Sequence, residues 1–242
     1  MKLLAIDIGS SNIKYGVVED GKVLEVWCDE TTNVASIGQK LSKKGNRLPV
    51  ALCSVVPSAA QILEASFQQP DFTVTIESQQ VVTGFYAGFG ADRVADSVAA
   101  KILYGKGRNV LVIGLGTVTV LTAISGVGHF AGSLTTLGLV STAQALSSRI
   151  PQLPLVELNS PESFELGFDK VASMKNGMIL AHLGAIERWI SHAKSTLKGE
   201  TVTVATGGCV EFLVKNLPQF DHVDAHLTLK GIYFIAQAAL NH

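Results

Sequence analysis

Apolar residues along this chain gather into strand-length runs that are broken by turns rich in glycine and hydroxyl groups. Leu3 to Ile6 form the first apolar run, and Asp7 is delivered at its end into the polar turn Gly9-Ser10-Ser11-Asn12. Ile13 to Val18 then run back as a second strand, so the pattern predicts a hairpin. Strands near 2 to 7, 13 to 18 and 23 to 28 make a meander, followed by a helix near 32 to 43 and a strand at 49 to 53. The meander recurs near 110 to 114, 118 to 125 and 128 to 130. Helices are predicted over about 94 to 103, 138 to 149, 168 to 194, 208 to 215 and 229 to 239. The long one carries Met174, Met178, Ala181, Ala185 and Trp189 at helical spacing, a stripe suited to lobe packing or a dimer face.

The second meander opens as the first does. Val110-Leu-Val-Ile113 leads into Gly114-Leu-Gly-Thr-Val-Thr119 and returns through Val120 to Ile124. A third strand, Val202 to Ala205, ends in Thr206-Gly-Gly-Cys209 before a helix. Two similar hairpins a domain's length apart predict a duplicated α/β fold with a nucleotide held in a cleft between its halves. The halves divide near Gly105 to Arg108, giving lobes of 1–107 and 108–242.

The residues in these turns suit a metal-bound phosphate. Gly9 lets backbone approach a ligand, and Ser10, Ser11 and Asn12 add donors for phosphate oxygens. Asp7 suits magnesium, which keeps most of its water and takes few carboxylates directly. An ordinary hairpin turn has the same composition. Lys14, two residues beyond Asn12, faces the cleft or solvent, with solvent the more ordinary place. Thr117 and Thr119 alternate with Val118, which would put both hydroxyls on one face with Gly116 beside a phosphate; β-branching alone would also favour threonine there. Gly207 and Gly208 would lie against an adenosine or ribose, or simply make a strand-to-helix turn. Asp92 precedes an apparent helix at Val94, where it either caps the helix or serves as a base whose ionised form the helix dipole favours. Arg93 could grip a substrate carboxylate through two N–H groups, or hold its own loop by a salt bridge.

Composition narrows the classes of function. With 242 residues, 47% hydrophobic and 16% charged, the chain can bury a sizeable core. A net charge of −1 leaves no polyelectrolyte footprint for nucleic acid, and Ser42 to Arg47 is only a small basic loop. No apolar run is long enough to span a membrane, and the first residues read as a strand and not as a signal sequence. Cys28, Cys53 and Cys209 are odd in number and scattered, which fits reduced thiols in a cytoplasmic protein. The six histidines, His182 and His192 among them, show no metal-ligand spacing and read as helix-surface or partly buried residues.

Taken in order, the motifs resemble the type III pantothenate kinases, within the superfamily of actin-like, hexokinase-like and Hsp70-like folds. Asp7-Ile-Gly-Ser-Ser-Asn12 resembles the first phosphate motif, usually Asp-x-Gly-Asn-Thr, and Ser54-Val-Val-Pro57 a later family segment. Gly90-Ala-Asp-Arg93 resembles the Gly-x-Asp-Arg motif, which implies substrate binding by Gly90, Ala91, Asp92 and Arg93 with Asp92 as general base. Gly116 to Thr119 is similar to the second phosphate motif, and Ala131 to Leu137 to a Gly-Gly-x-Ile-x-Pro-Gly turn. The resemblance implies two ribonuclease H-like lobes and ATP-dependent phosphorylation of pantothenate, the first step of coenzyme A synthesis. It further implies magnesium, a monovalent cation (potassium or ammonium) and a homodimer. Departures fall at Gly114, where the family has aspartate, at Thr136 and Leu137 for Pro-Gly, and at Lys170, where the family sets a threonine against the substrate. Gly114 supports a rival reading, a non-catalytic relative of the Bvg accessory factor kind that keeps the fold. A kinase of sugars or other hydroxylated metabolites is a third reading.

Overall fold

A computed structural model describes residues 1–43, 48–158 and 165–240; most of the basic loop at 42–47 lies outside the described residues. In chain order the first elements are β1 (Lys2–Ile8), β2 (Asn12–Glu19), β3 (Lys22–Glu30), α1 (Val34–Lys43), β4 (Val50–Ser54), α2 (Pro57–Ser66), β5 (Phe72–Thr73) and α3 (Ala91–Ala100). There follow β6 (Asn109–Leu115), β7 (Val118–Ile124), β8 (Phe130–Leu137), α4 (Leu139–Arg149), α5 (Lys170–Leu197), β9 (Thr201–Thr206), α6 (Val210–Leu213), β10 (His222–Val223) and α7 (Leu227–Leu240). Among these, no helix is long and apolar enough to cross a membrane.

Two mixed five-stranded sheets have the same order, β3-β2-β1-β4-β5 and β10-β9-β6-β7-β8. In each, the opening strand pairs antiparallel with the next and parallel with the strand after the intervening helix. This repeated order is the duplication that the two hairpins announce. The chain divides into two compact units, and the division is not a single cut near 107. The first unit takes residues up to Lys106, Gly128–Phe130 and the segment from His226 on; the second takes Gly107–Val127 and Ala131–Ala225. The C-terminal helix thus belongs with the first unit and not with the second lobe in which it was expected. Gly231 is the physical reason, because a Cβ there would overlap the carbonyl oxygen of Ala95, so its absence lets α7 lie against α3.

In the first unit, alternation along β1 assigns each side chain to a face. Leu4, Ile6 and Ile8 pack with Val34 and Ile37 of α1 and Leu63 of α2. Leu3 and Ala5 pack with Val94 and Val98 of α3 and Leu229 and Ile232 of α7. Asp7 is next in the second series. In the second unit, Leu111, Ile113 and Leu115 of β6 and Leu121 and Ala123 of β7 pack with Ile179, Leu183 and Ile186 of α5.

Two elements differ from expectation. Residues 131 to 137 were read as a glycine-rich turn, yet they continue β8, a half-exposed edge strand in which β-branched Thr135 and Thr136 are at home. The helix expected at 94 to 103 begins three residues earlier, at Ala91, and passes into a single wide π turn over Lys101–Gly105.

Gly231→Ala should destabilise the protein by roughly 1–3 kcal/mol, because the added methyl meets backbone that has no free rotamer. Denaturant unfolding checks this. A midpoint within error of the parent would mean that the α3–α7 crossing is not tight.

Candidate active site

The first hairpin places Asp7 on the α3 side of the first sheet. Its neighbours across the strands are Lys14 on β2 and Cys53 on β4, in register with it on either side. Asp7 Oδ1 is out of contact with solvent and accepts no hydrogen bond. Burial, followed by the charge of Asp92, raises the Asp7 carboxyl to about 7; the Lys14 charge and the Cys53 thiol oppose this. Lys14 is half-buried and also draws the Asp96 carboxyl down, so it lies with the carboxylates and is not the solvent-facing lysine that spacing favoured. The turn beyond is tied by Gly9 N–H donating to the Asn12 carbonyl at 3.0 Å and by the Thr31 hydroxyl donating to the Gly9 carbonyl at 2.7 Å. Ser10, Ser11 and Asn12 are exposed at its tip.

Asp92 is the second residue of α3 and does not cap it. Gly90 is the N-cap residue, and Asp92 Oδ1 instead accepts the Arg93 backbone N–H at 2.8 Å. A Cβ on Gly90 would stand 2.5 Å from that oxygen, so glycine is needed for the Asp92 carboxyl to fold back over the helix start. Burial raises the Asp92 carboxyl, while the Arg93 N–H and charge hold it down. Asp96, which was not singled out from the sequence, lies one turn further on. Burial and the charges of Asp92 and Asp7 push it well above the carboxylate range, against a 2.8 Å hydrogen bond from the Thr228 hydroxyl of α7. Its i,i+4 relation to Asp92 within one helix was the available signal.

The first unit therefore brings together Asp7, Lys14, Asp92 and Asp96. Among the described residues, no group of three or more His, Cys, Asp or Glu is arranged to hold a metal. What the site offers a cation is the buried Asp7 Oδ1, a carboxylate oxygen without a hydrogen-bond partner. This fits magnesium, which completes its shell with water and phosphate oxygens.

In the second unit, the β6–β7 turn is closed by Gly116 N–H donating to the Val118 carbonyl at 3.1 Å. The Thr117 carbonyl accepts the Gly138 N–H at 2.9 Å and the Ser141 hydroxyl at 2.7 Å, which docks the start of α4 on the turn. A Cβ on Gly138 would overlap the Gly116 carbonyl oxygen; the glycine that this approach needs is Gly138, one place beyond Leu137. Thr117 is exposed, but Thr119 does not share its setting. It follows the alternation of Leu121 onto the α5 face, is 1% exposed, and its hydroxyl bonds His182 Nε2 at 2.8 Å. His182 is accordingly a core residue and not a helix-surface one, and burial lowers its pKa.

Gly207 has φ of +105°, and any Cβ there would overlap Leu115 O, whereas Gly208 faces open space. Lys170 is the first residue of α5; it is exposed and donates to the Gln152 carbonyl at 3.1 Å. At Gly114 an added Cβ meets nothing within 4 Å, and the backbone is not in the left-handed region. The carboxylate missing there is a matter of sequence and not of space.

The family model for type III pantothenate kinase matches residues 3–192, and the chain belongs to that family. A type III pantothenate kinase from Bacillus cytotoxicus is 29% identical over 260 residues, covering 99% of this chain and 98% of its own. Among solved structures, a conserved Baf family transcriptional activator from Campylobacter jejuni aligns with a TM-score of 0.66 at 17% identity, over 99% of this chain and 100% of its own. A ROK hexokinase from Thermus thermophilus aligns at 0.52 and 15% identity, over 99% and 100%. The last two establish the fold, which is of the actin, hexokinase and Hsp70 type.

A carboxyl raised from 3.8 to about 7 makes the folded protein bind more protons than the unfolded chain between those values, so stability falls as pH rises through them. Without divalent cations, Asp7→Asn should leave stability near pH 4 little changed and raise it at pH 8 by about 4 kcal/mol. Equal effects at both pH values in thermal unfolding would show that Asp7 is not held against ionisation.

Proposed function

We propose that this member of the type III pantothenate kinase family transfers the γ-phosphoryl group of ATP to the primary hydroxyl of pantothenate, giving 4'-phosphopantothenate. The observation that carries this reading is the pairing of a buried, unsatisfied Asp7 oxygen with Asp92 at the start of α3. Phosphoryl transfer asks a protein chiefly to position the nucleophile and spread charge, with one group to take the hydroxyl proton. Asp92 is that group. Its pKa, raised by burial and held in check by the Arg93 N–H, moves it towards the range in which a carboxylate serves as a base at neutral pH.

Asp7 would hold magnesium, which when bound neutralises charge on the phosphate oxygens. In the first hairpin Gly9 and the exposed Ser10, Ser11 and Asn12 would serve phosphate oxygens; Gly116 and Thr117 are the corresponding groups of the second hairpin. Gly208, with open space beside it, suits the nucleoside. Arg93 would take the pantothenate carboxylate through two parallel N–H bonds, beside Gly90 and Ala91. Potassium or ammonium, a homodimer and a cytoplasmic location belong to the same reading. A second reading, a non-catalytic member of the Bvg accessory factor kind, is favoured by Gly114 alone.

A coupled turnover assay with ATP, magnesium, potassium and pantothenate separates the two. The parent should turn over, and Asp92→Asn should lose about 10²–10⁴-fold in kcat while keeping its affinity for nucleotide. A folded parent without turnover would leave the non-catalytic reading. Since the space beside Gly114 is open, Gly114→Asp should fold normally and lower the magnesium concentration for half-maximal rate by roughly tenfold. An unchanged magnesium response in the folded variant would remove Gly114 from the account of the metal.

A further inference from the structure

The start of α3 lies against a layer of aromatic rings within the first unit. Phe85, Tyr86 and Phe89 come from the irregular run before the helix, and Phe130 comes from the 128–130 segment. Phe85 stacks on Phe89 with centroids 4.4 Å apart, and Phe130 meets Phe89 edge-on at 5.2 Å. The segment carrying Phe130 is fastened by backbone: Thr83 N–H donates to the Gly128 carbonyl at 2.9 Å, and Phe130 N–H donates to the Thr83 carbonyl at 2.8 Å. Gly84, with φ of +84°, lies so close under the His129 ring that a Cβ would overlap it.

Arg93 rests on this layer. Its guanidinium carbon lies 3.9 Å from the Phe89 ring centroid, and Nη1 donates to the Tyr86 hydroxyl at 3.3 Å. A ring face supports the plane of a guanidinium, and a hydroxyl that accepts one N–H fixes its direction. Phe89 is buried in the layer and Tyr86 is half-exposed at its edge. The geometry points to Phe89 and Tyr86 as positioning residues that hold Arg93 for the carboxylate of the acceptor substrate, with Phe130 backing Phe89. The inference rests on the reading of pantothenate as acceptor and adds the residues that set how tightly its carboxylate is gripped.

Steady-state kinetics test it with two acceptors, pantothenate and the neutral amide made by replacing its carboxylate with a carboxamide. Phe89→Leu keeps an apolar side chain but removes the ring face, and should raise KM for pantothenate about tenfold. It should change kcat and KM for ATP by less than about twofold and leave KM for the amide unchanged. Tyr86→Phe, at an exposed position where folding is not at stake, should raise KM for pantothenate about threefold. Phe89→Tyr, which restores the ring, should match the parent. Equal rises for both acceptors, or parent values for both Phe89→Leu and Tyr86→Phe in an active enzyme, would overturn the inference and leave the pantothenate reading standing. A parent that turns over neither acceptor would overturn that reading, and the inference with it.

Discussion

A carboxylate placed at the end of a buried strand is the constraint on which the rest of the first unit turns. β1 is apolar and covered on both faces, and Asp7 follows its alternation onto the side where α3 and α7 pack. An ionised carboxylate in such a place ordinarily collects hydrogen bonds from backbone N–H groups. Asp7 Oδ1 collects none, its thiol neighbour Cys53 is a weak donor, and Asp92 adds like charge. Lys14, directly opposite on β2, is the compensating charge that the strand register supplies. The arrangement is poor as a structural ion pair and suited to an ion that is not part of the chain.

The duplication makes the comparison internal. Asp7-Ile-Gly-Ser and Gly114-Leu-Gly-Thr occupy the same place in their hairpins, and each opening strand has one antiparallel and one parallel neighbour. Around Asp7 those neighbours are Lys14 and Cys53; around Gly114 they are Val120 and Thr206. The second hairpin has therefore lost more than one acid. Its cationic partner position is apolar, so the turn at Gly116 and Thr117 works through backbone and hydroxyl groups and carries no charged side chain at this point. Of the two hairpins, the first is the one that sets a carboxylate opposite an ammonium group.

What the sequence made legible was what short-range pattern controls. Both hairpins, the helix from Lys170 and the approach of Gly90-Ala-Asp-Arg93 to a helix start follow from apolar period and turn chemistry, and all are present. Thr119 shows where period stops being enough. Alternation separates two faces but does not say which one a helix covers, and His182, 63 residues away, decides that Thr119 faces inward. The assignment of α7 to the first unit depends on a glycine meeting a carbonyl more than a hundred residues earlier, a contact with no local sign. Asp96 was visible as an acid one turn after Asp92, but only the hydrogen bond from Thr228 and the nearness of Asp7 show that it stands among them.

The same electrostatics bears on whether the fold is kept for catalysis. Burial raises the carboxyls of Asp7, Asp92 and Asp96, and the charge of Asp92 raises the other two further, so ionising them at neutral pH opposes folding. A chain that needed only the fold would gain stability by replacing any of the three with a neutral residue, a change that most single substitutions could supply. One acid placed to take a proton and another placed to meet a cation suit the proposed phosphoryl transfer better than they suit a docking platform. Gly114 weighs on the other side, but it lies in the second hairpin, where no counterpart of Lys14 is present, and it leaves the acids of the first unit intact.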